Sequence, residues 1–374
     1  MNQTLNVVIA GTGVGALETA LAIDEMTSGH VAITLVGPDP YLHYRPLAVR
    51  SPFDGRPVPR FSIGAIAADR SFAYVRDAVT AVDVDQRLID TAEQGSVSFD
   101  VLVMATGAIA GDVASGTVPF RGPQDVERFG HVLVDLRRGG VRRIAFVVPP
   151  GAAWPLPAYE LALQTAGFVA EHDLDVEVTL VTPERRPLAA FGAGASAVVA
   201  EKLEAAGVAV RLEVRATDAV TSGFSALDDR VVCLPVVHGR QIPGLPATPD
   251  GFLEVDASGR LRGQTHVYAV GDVTARRFKQ GGLTAEQADA VASTIAALAG
   301  ADVAPFVFQP VLRGLLVTGG EPLYLLHDPD AGVSRASTQP LWSPPHKIFG
   351  LRLAPYLESN DDLAVGTAAP TLTT

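Results

Sequence analysis

The sequence predicts an α/β chain of two interleaved doubly wound domains plus a small C-terminal region. Three observations predict it. A strand, a glycine-rich turn, a helix and a second strand open the chain; the same βαβ pattern restarts near residue 143; and a strand closed by Gly271-Asp272 leads into a long apolar helix. The 374 residues fit two or three domains of about 100–200 residues and suffice to bury a sizeable core.

Each element has its own signal. Residues 5–10 read as a strand whose apolar run from Val7 is the pattern of burial on both faces of a parallel sheet. Gly11-Thr12-Gly13-Val14-Gly15-Ala16 is the turn, and residues 16–26 place Leu17, Ala20, Leu21 and Ile23 at helical spacing. Residues 31–36 complete a βαβ unit, whose crossover is right-handed. Prolines and glycines over 37–59 mark an irregular excursion of the length that usually serves a site. Residues 71–84 and 86–98 read as short strands and a hairpin, and 101–105 as a buried strand ending at Thr106-Gly107. A second block starts near Gly122: strand 143–148, helix 157–171, strand 176–181, helix 196–206, strand 208–214. This internal repeat predicts the second doubly wound domain. Strand 265–270 and helix 283–298 follow, then strand-like pieces at 314–318 and 322–326, a proline-rich stretch around Trp342, and a polar tail from Glu358 that should fray. The predicted division is 1–110 with 250–315, 111–249 inserted between them, and 316–374.

Composition excludes several classes of function. A net charge of −12 disfavours nonspecific nucleic-acid binding. A single cysteine, Cys233, excludes an intramolecular disulfide, a CxxC pair and a cysteine-ligated zinc site, and fits a reducing, cytoplasmic setting. The polar start, residues 1–6, carries no basic targeting region, and no apolar run reaches the roughly 18 residues of a membrane span. No G-x-S-x-G, H-E-x-x-H or EF-hand loop is present, and the eight histidines lack ligand spacing, so no metal site is expected.

Gly11-x-Gly13-x-x-Ala16 between a strand and a helix is a dinucleotide-binding fingerprint. Gly11 makes the tight turn, Gly13 leaves room for a pyrophosphate, and Ala16 lets helix and strand approach. Helix N-terminal amides then hold the anion. Gly37 stands where an acidic ribose ligand is expected; Asp39, two residues on, is either that ligand or an ordinary turn aspartate.

With two further motifs, Asp100-Val-Leu-Val-Met-Ala105-Thr106-Gly107 and Val267-Tyr-Ala-Val-Gly271-Asp272, the chain resembles the FAD-dependent pyridine nucleotide–disulfide oxidoreductase superfamily. Tyr44-Arg45-Pro46, Pro157-Ala158-Tyr159-Glu160, Trp342-x-Pro344-Pro345-x-Lys347 and Ala354-Pro355-Tyr356-Leu357 make it similar to the branch holding sulfide:quinone oxidoreductase, flavocytochrome c sulfide dehydrogenase and type II NADH:quinone oxidoreductase. The resemblance implies non-covalent FAD held by Gly11, Gly13, Gly15, Ala16, Ala105, Thr106 and Gly107. Asp272 after Gly271 would bind the ribitol, and Arg45-Pro46 would pack near the isoalloxazine. The helix start Gly281-Gly282-Leu283 would face its pyrimidine edge.

The resemblance also implies flavin-side polar groups: Glu160 as a proton shuttle, Lys279 adding charge, Lys347 lining an acceptor pocket and Gln287 contacting the acceptor. Structural alternatives stand beside these: a first-turn carboxylate, solvated lysines and a helix-surface glutamine.

Two departures matter. The sulfide enzymes carry a redox cysteine just before the Pro-Ala-Tyr-Glu segment, where this chain has Gly151-Ala-Ala-Trp154-Pro-Leu-Pro157. Cys233 lies in an apolar run and reads as a core thiol. The same stretch lacks a second glycine turn, which puts NAD(P)H binding in doubt. The expected function is two-electron transfer from a small donor through FAD to a quinone-like or other small acceptor. A flavin-binding interaction or redox-sensing protein is the alternative, and sulfide oxidation is disfavoured. The mixed basic and apolar segment 346–357 suits a membrane surface or, equally, a homodimer interface.

Overall fold

The computed structural model describes residues 4–214 and 229–365. Strands β1 (Asn6–Ala10), β2 (Ala32–Val36), β3 (Ala73–Val75) and β4 (Val101–Met104) begin the first sheet, with helix α1 (Val14–Met26) joining β1 to β2. Strands β5 (Val118–Pro119), β6 (Arg143–Val147), β7 (Glu177–Val181), β8 (Ala209–Arg211) and β9 (Arg230–Cys233) make the second. Helices α2 (Leu156–Glu171) and α3 (Gly192–Ala205) belong to it. The chain then returns to the first sheet as β10 (Val267–Ala269) and enters helix α4 (Gly281–Leu298). An antiparallel sheet of β11 (Leu312–Leu316), β12 (Leu323–Asp328) and β13 (Val333–Ser337) and a short helix α5 (Leu353–Ser359) complete it.

The first sheet runs β10-β4-β1-β2-β3 and the second β5-β9-β6-β7-β8, every pairing parallel. β1 from Val7 to Ala10 and all of β4 are buried on both faces, as these apolar runs require. Sequence reading missed β9, β5 and β13, because short strands in a sheet interior or a three-strand meander have too few residues to show a period. It also started α3 and α4 late: both begin on glycines, Gly192 and Gly281, which carry no helical signal.

Apolar residues of the 346–357 stretch do not form a free face. Ile348, Leu353, Ala354 and Leu357 enter the core beside Leu17, Leu21 and Tyr44, leaving Leu351 exposed. Among the described residues no helix is long and apolar enough to cross a membrane.

This closure buries an ionisable group. Glu18 of α1 is 1% exposed, and neither carboxyl oxygen has a hydrogen-bond partner. The backbone of Gly350 passes so close that a Cβ there would lie 2.1 Å from Glu18 Oε1. Burial first, then the Asp289 charge, pushes the carboxyl up to about 8, with Arg352 opposing. The folded chain therefore holds a proton that the unfolded chain releases above its ordinary value of 4.5, so stability falls as pH rises from there to about 8. Glu18→Gln is expected to remove a slope of up to about 1.4 kcal/mol per pH unit, read from urea midpoints at pH 5 and pH 8. Parallel pH slopes for variant and wild type would count against a proton on Glu18.

Candidate functional site

The site begins at the carboxyl ends of β1, β4 and β10. From β1 the chain crosses to β2 on one side, while β4 pairs on the other, and a ligand crevice opens where the strand order reverses. Gly11 donates to Val36 O at 2.7 Å. It takes φ +142°, and a Cβ on it would sit 2.2 Å from Ala105 O, so this turn admits only glycine. Gly13 caps α1 with no side-chain hydrogen bond and no acid in the first turn. Nothing lies within 4 Å of the place a Gly13 Cβ would occupy. The helix thus presents its first amides to open space, an arrangement that attracts an anion. Gly15 and Ala16 serve packing: a Cβ on Gly15 would lie 3.0 Å from Thr284 and 3.2 Å from Val270, and Ala16 is fully buried.

The neighbouring strand ends add unsatisfied polar groups. After β4, Ala105 N–H is fixed to Ala10 O at 2.8 Å. Thr106 Oγ1 is buried without a partner, and Gly107, at φ +71°, borders open space. After β10, the Asp272 carboxylate keeps accessible surface yet is desolvated enough for its pKa to rise, with Lys279 and Arg45 opposing. No hydrogen bond to it exists among the described residues. Asp39 is exposed beyond β2, and its backbone carbonyl accepts from Tyr74 OH at 3.0 Å. Orphaned hydroxyl, unpaired carboxylate, bare helix end and glycine floor fit FAD. Its pyrophosphate would meet the α1 amides and its ribityl hydroxyls would meet Asp272 and Thr106.

On the far wall the structure departs from several expectations. Lys279 does not reach the α4 N-terminus: its Nζ donates to Thr274 O and lies 3.9 Å over the Phe252 ring. Burial lowers it to about 8, with Asp272 opposing. Leu283 N–H is not free either, since Gln280 Oε1 caps it at 2.7 Å. Gly281 and Gly282 admit the close approach of Ile348 and of Gln280 with Phe349 O, respectively. Gln287 turns inward and accepts from Gly271 N–H at 2.8 Å, holding the turn that presents Asp272. Sequence reading missed that role because a glutamine one turn into a helix carries no sign of its direction. Arg45 Nη2 donates to Arg121 O at 2.9 Å, Pro46 is half-buried beside it, and Tyr44 OH accepts from Ile348 N–H at 3.1 Å.

Glu160 and Lys347, distant in sequence, meet as a buried ion pair. Lys347 Nζ contacts Glu160 Oε1 and donates to Leu315 O at 3.0 Å, and Val317 N–H donates to the same carboxylate oxygen at 3.0 Å. The side chains are only 4% and 2% exposed, so Lys347 faces the carboxylate rather than an open pocket. Burial pushes Glu160 up, while the ammonium and the Val317 amide restrain it. Trp342 Nε1 donates to His346 O at 3.2 Å, steadying the irregular segment that brings Lys347 in. Cys233 lies in β9 among Ala145, Val147, Val181 and Val231, its thiol pushed up to about 11 by burial. It is therefore a poor nucleophile.

Residues 5–291 match the family of pyridine nucleotide-disulphide oxidoreductases. The chain belongs to this family. It is accordingly an FAD-dependent oxidoreductase. An NADH dehydrogenase-like protein of Mycobacterium tuberculosis is 29% identical over 301 residues, covering 73% of each chain. Among solved structures, the sulfide:quinone oxidoreductase of Aquifex aeolicus superposes with a TM-score of 0.78 at 17% identity, over 90% of this chain and 87% of that one. The NDH2 of Plasmodium falciparum in complex with NADH gives 0.67 at 12% identity, over 89% and 92%. At these identities the likeness shows the fold.

Proposed function

We propose that this flavoenzyme passes two electrons from a small donor to a quinone-like or other small acceptor, without cysteine chemistry. The bound FAD would supply the redox chemistry, accepting and releasing an electron pair. The residues around it bind, orient and manage protons. Gly11, Gly13 and the α1 amides would seat the pyrophosphate, and Asp272 and Thr106 the ribityl chain. Arg45, Pro46, Ala105, Gly107 and Gly271 shape the crevice. The reading keeps 111–249 set between the two halves, 1–110 and 250–315, of an FAD-binding unit, and the separate sheets support it. Glu160 and Lys347 would stand as a buried ion pair on the acceptor side, and Lys279 and Asp39 would border the cofactor.

The observation that carries this reading is the convergence of an uncapped helix start, an orphaned threonine hydroxyl and an unpaired Asp272 on adjacent strand ends. Its cysteine-free character rests on the single, buried Cys233. The test is anaerobic reduction of the FAD-loaded protein followed by a short-chain quinone. Reoxidation at equal rates in wild type and Cys233→Ala is expected. Loss of turnover in Cys233→Ala, with flavin retained, would overturn the cysteine-free reading.

A further inference from the structure

We infer that the second α/β unit, although wound like the first, has no vacant dinucleotide site and takes neither NADH nor NADPH. The inference stands on the second sheet alone and does not depend on the flavin reading. A dinucleotide needs two things from such a unit: free amides at the first strand–helix turn, and an acceptor carboxylate after the second strand.

The turn after β6 loses donors to proline and keeps unbonded amides only at Gly151, Ala153, Trp154 and Leu156. Pro149, Pro150, Pro155 and Pro157 carry no N–H. Ala152 N–H is bonded to Pro149 O and Ala158 N–H to Pro155 O, both at 3.0 Å. Of the amides that open α2, Leu156 is left. The turn's one glycine, Gly151, is followed by Trp154, whose ring packs against Phe191 at 5.8 Å. The turn is also tied to the first sheet's side, with Lys279 N–H on Ala153 O at 3.4 Å. Both helices lack a side-chain cap, but α1 follows Gly13, which stands in open space, whereas α2 follows Pro155.

The carboxylate position is filled as well. Glu184 follows β7, where a ribose diol would seek an acceptor. Its Oε2 accepts from Tyr159 OH at 2.6 Å and from Thr182 Oγ1 at 2.9 Å, and its Oε1 accepts from Ala189 N–H at 3.0 Å. Tyr159 is fully buried, and its oxygen accepts Leu188 N–H at 3.1 Å. These bonds close the 182–189 loop onto α2. A ribose would have to displace two buried donors whose own partners would then be lost. Glu184 and Tyr159 thus act as an internal clasp in the place of a ligand, and the electron donor reaches the flavin without anchoring on this unit.

The test uses the full chain with its flavin, titrated calorimetrically with NADH, NADPH and ADP-ribose. No saturation up to about 1 mM is expected. Glu184→Ala is expected to lower the melting temperature and leave all three titrations unchanged, the signature of a clasp. Saturable binding of any of the three below about 1 mM overturns the inference. So does a Glu184→Ala variant that melts like wild type. ADP-ribose carries no electrons, so its titration is read independently of whether the flavin turns over.

Discussion

Lys347→Met is expected to cost about 3–5 kcal/mol of folding stability, measured as a drop in the denaturant midpoint at pH 7. The loss is not the worth of the ion pair itself. Removing the ammonium leaves Glu160 about 1% exposed, held by the Val317 amide alone, with a charge it cannot keep in a dry site. The carboxyl is then expected to take up a proton. Adding Glu160→Gln to Lys347→Met should restore most of the loss, because an uncharged amide can still accept the Val317 N–H. The pair also ties three separate segments: α2, the end of β11 through Leu315 and Val317, and the C-terminal stretch. Electron transfer to the acceptor should therefore suffer in the single variant even where the protein remains folded. A midpoint shift below about 1 kcal/mol would show that Glu160 and Lys347 are less tightly coupled than the structure places them.

Gly13→Asp separates fold from cofactor. Aspartate is a good helix N-cap, better than glycine by about a few tenths of a kcal/mol, and nothing within 4 Å obstructs it. The apoprotein should hold its melting temperature. The same carboxylate would stand where the pyrophosphate belongs, and like charges at close range cost several kcal/mol. FAD affinity is expected to fall more than about 100-fold, read by flavin fluorescence on titration of apoprotein. Unchanged FAD binding by a folded Gly13→Asp variant would place the phosphates elsewhere.

The fold was legible where one physical demand wrote many residues. β1 from Val7 on and β4 are buried on both faces, so these positions are all apolar, and Gly11 must be glycine because Ala105 O leaves no room for a Cβ. The donor side of the site was legible for the same reason: turn, helix start and Asp272 lie on strand ends in a fixed order. Direction of side chains was not legible. Gln287 and Gln280 hold the Gly271 and Leu283 amides, and Lys279 turns to a carbonyl and an aromatic face. The meeting of Glu160 with Lys347 depends on a tertiary closure 187 residues apart in sequence, which no local pattern encodes. Glu184 shows the same limit: nothing in its sequence neighbourhood tells that its carboxylate accepts from Tyr159 OH, Thr182 Oγ1 and Ala189 N–H.

The central claim is that the bound flavin alone carries the electrons, since Cys233 has no partner and lies in a core strand. Anaerobic reductive titration of the FAD-loaded wild-type protein tests it most directly. Bleaching complete at two electrons per flavin, with the same end point in Cys233→Ala, is the predicted result. Uptake of further electrons before the flavin bleaches, lost in Cys233→Ala, would contradict it.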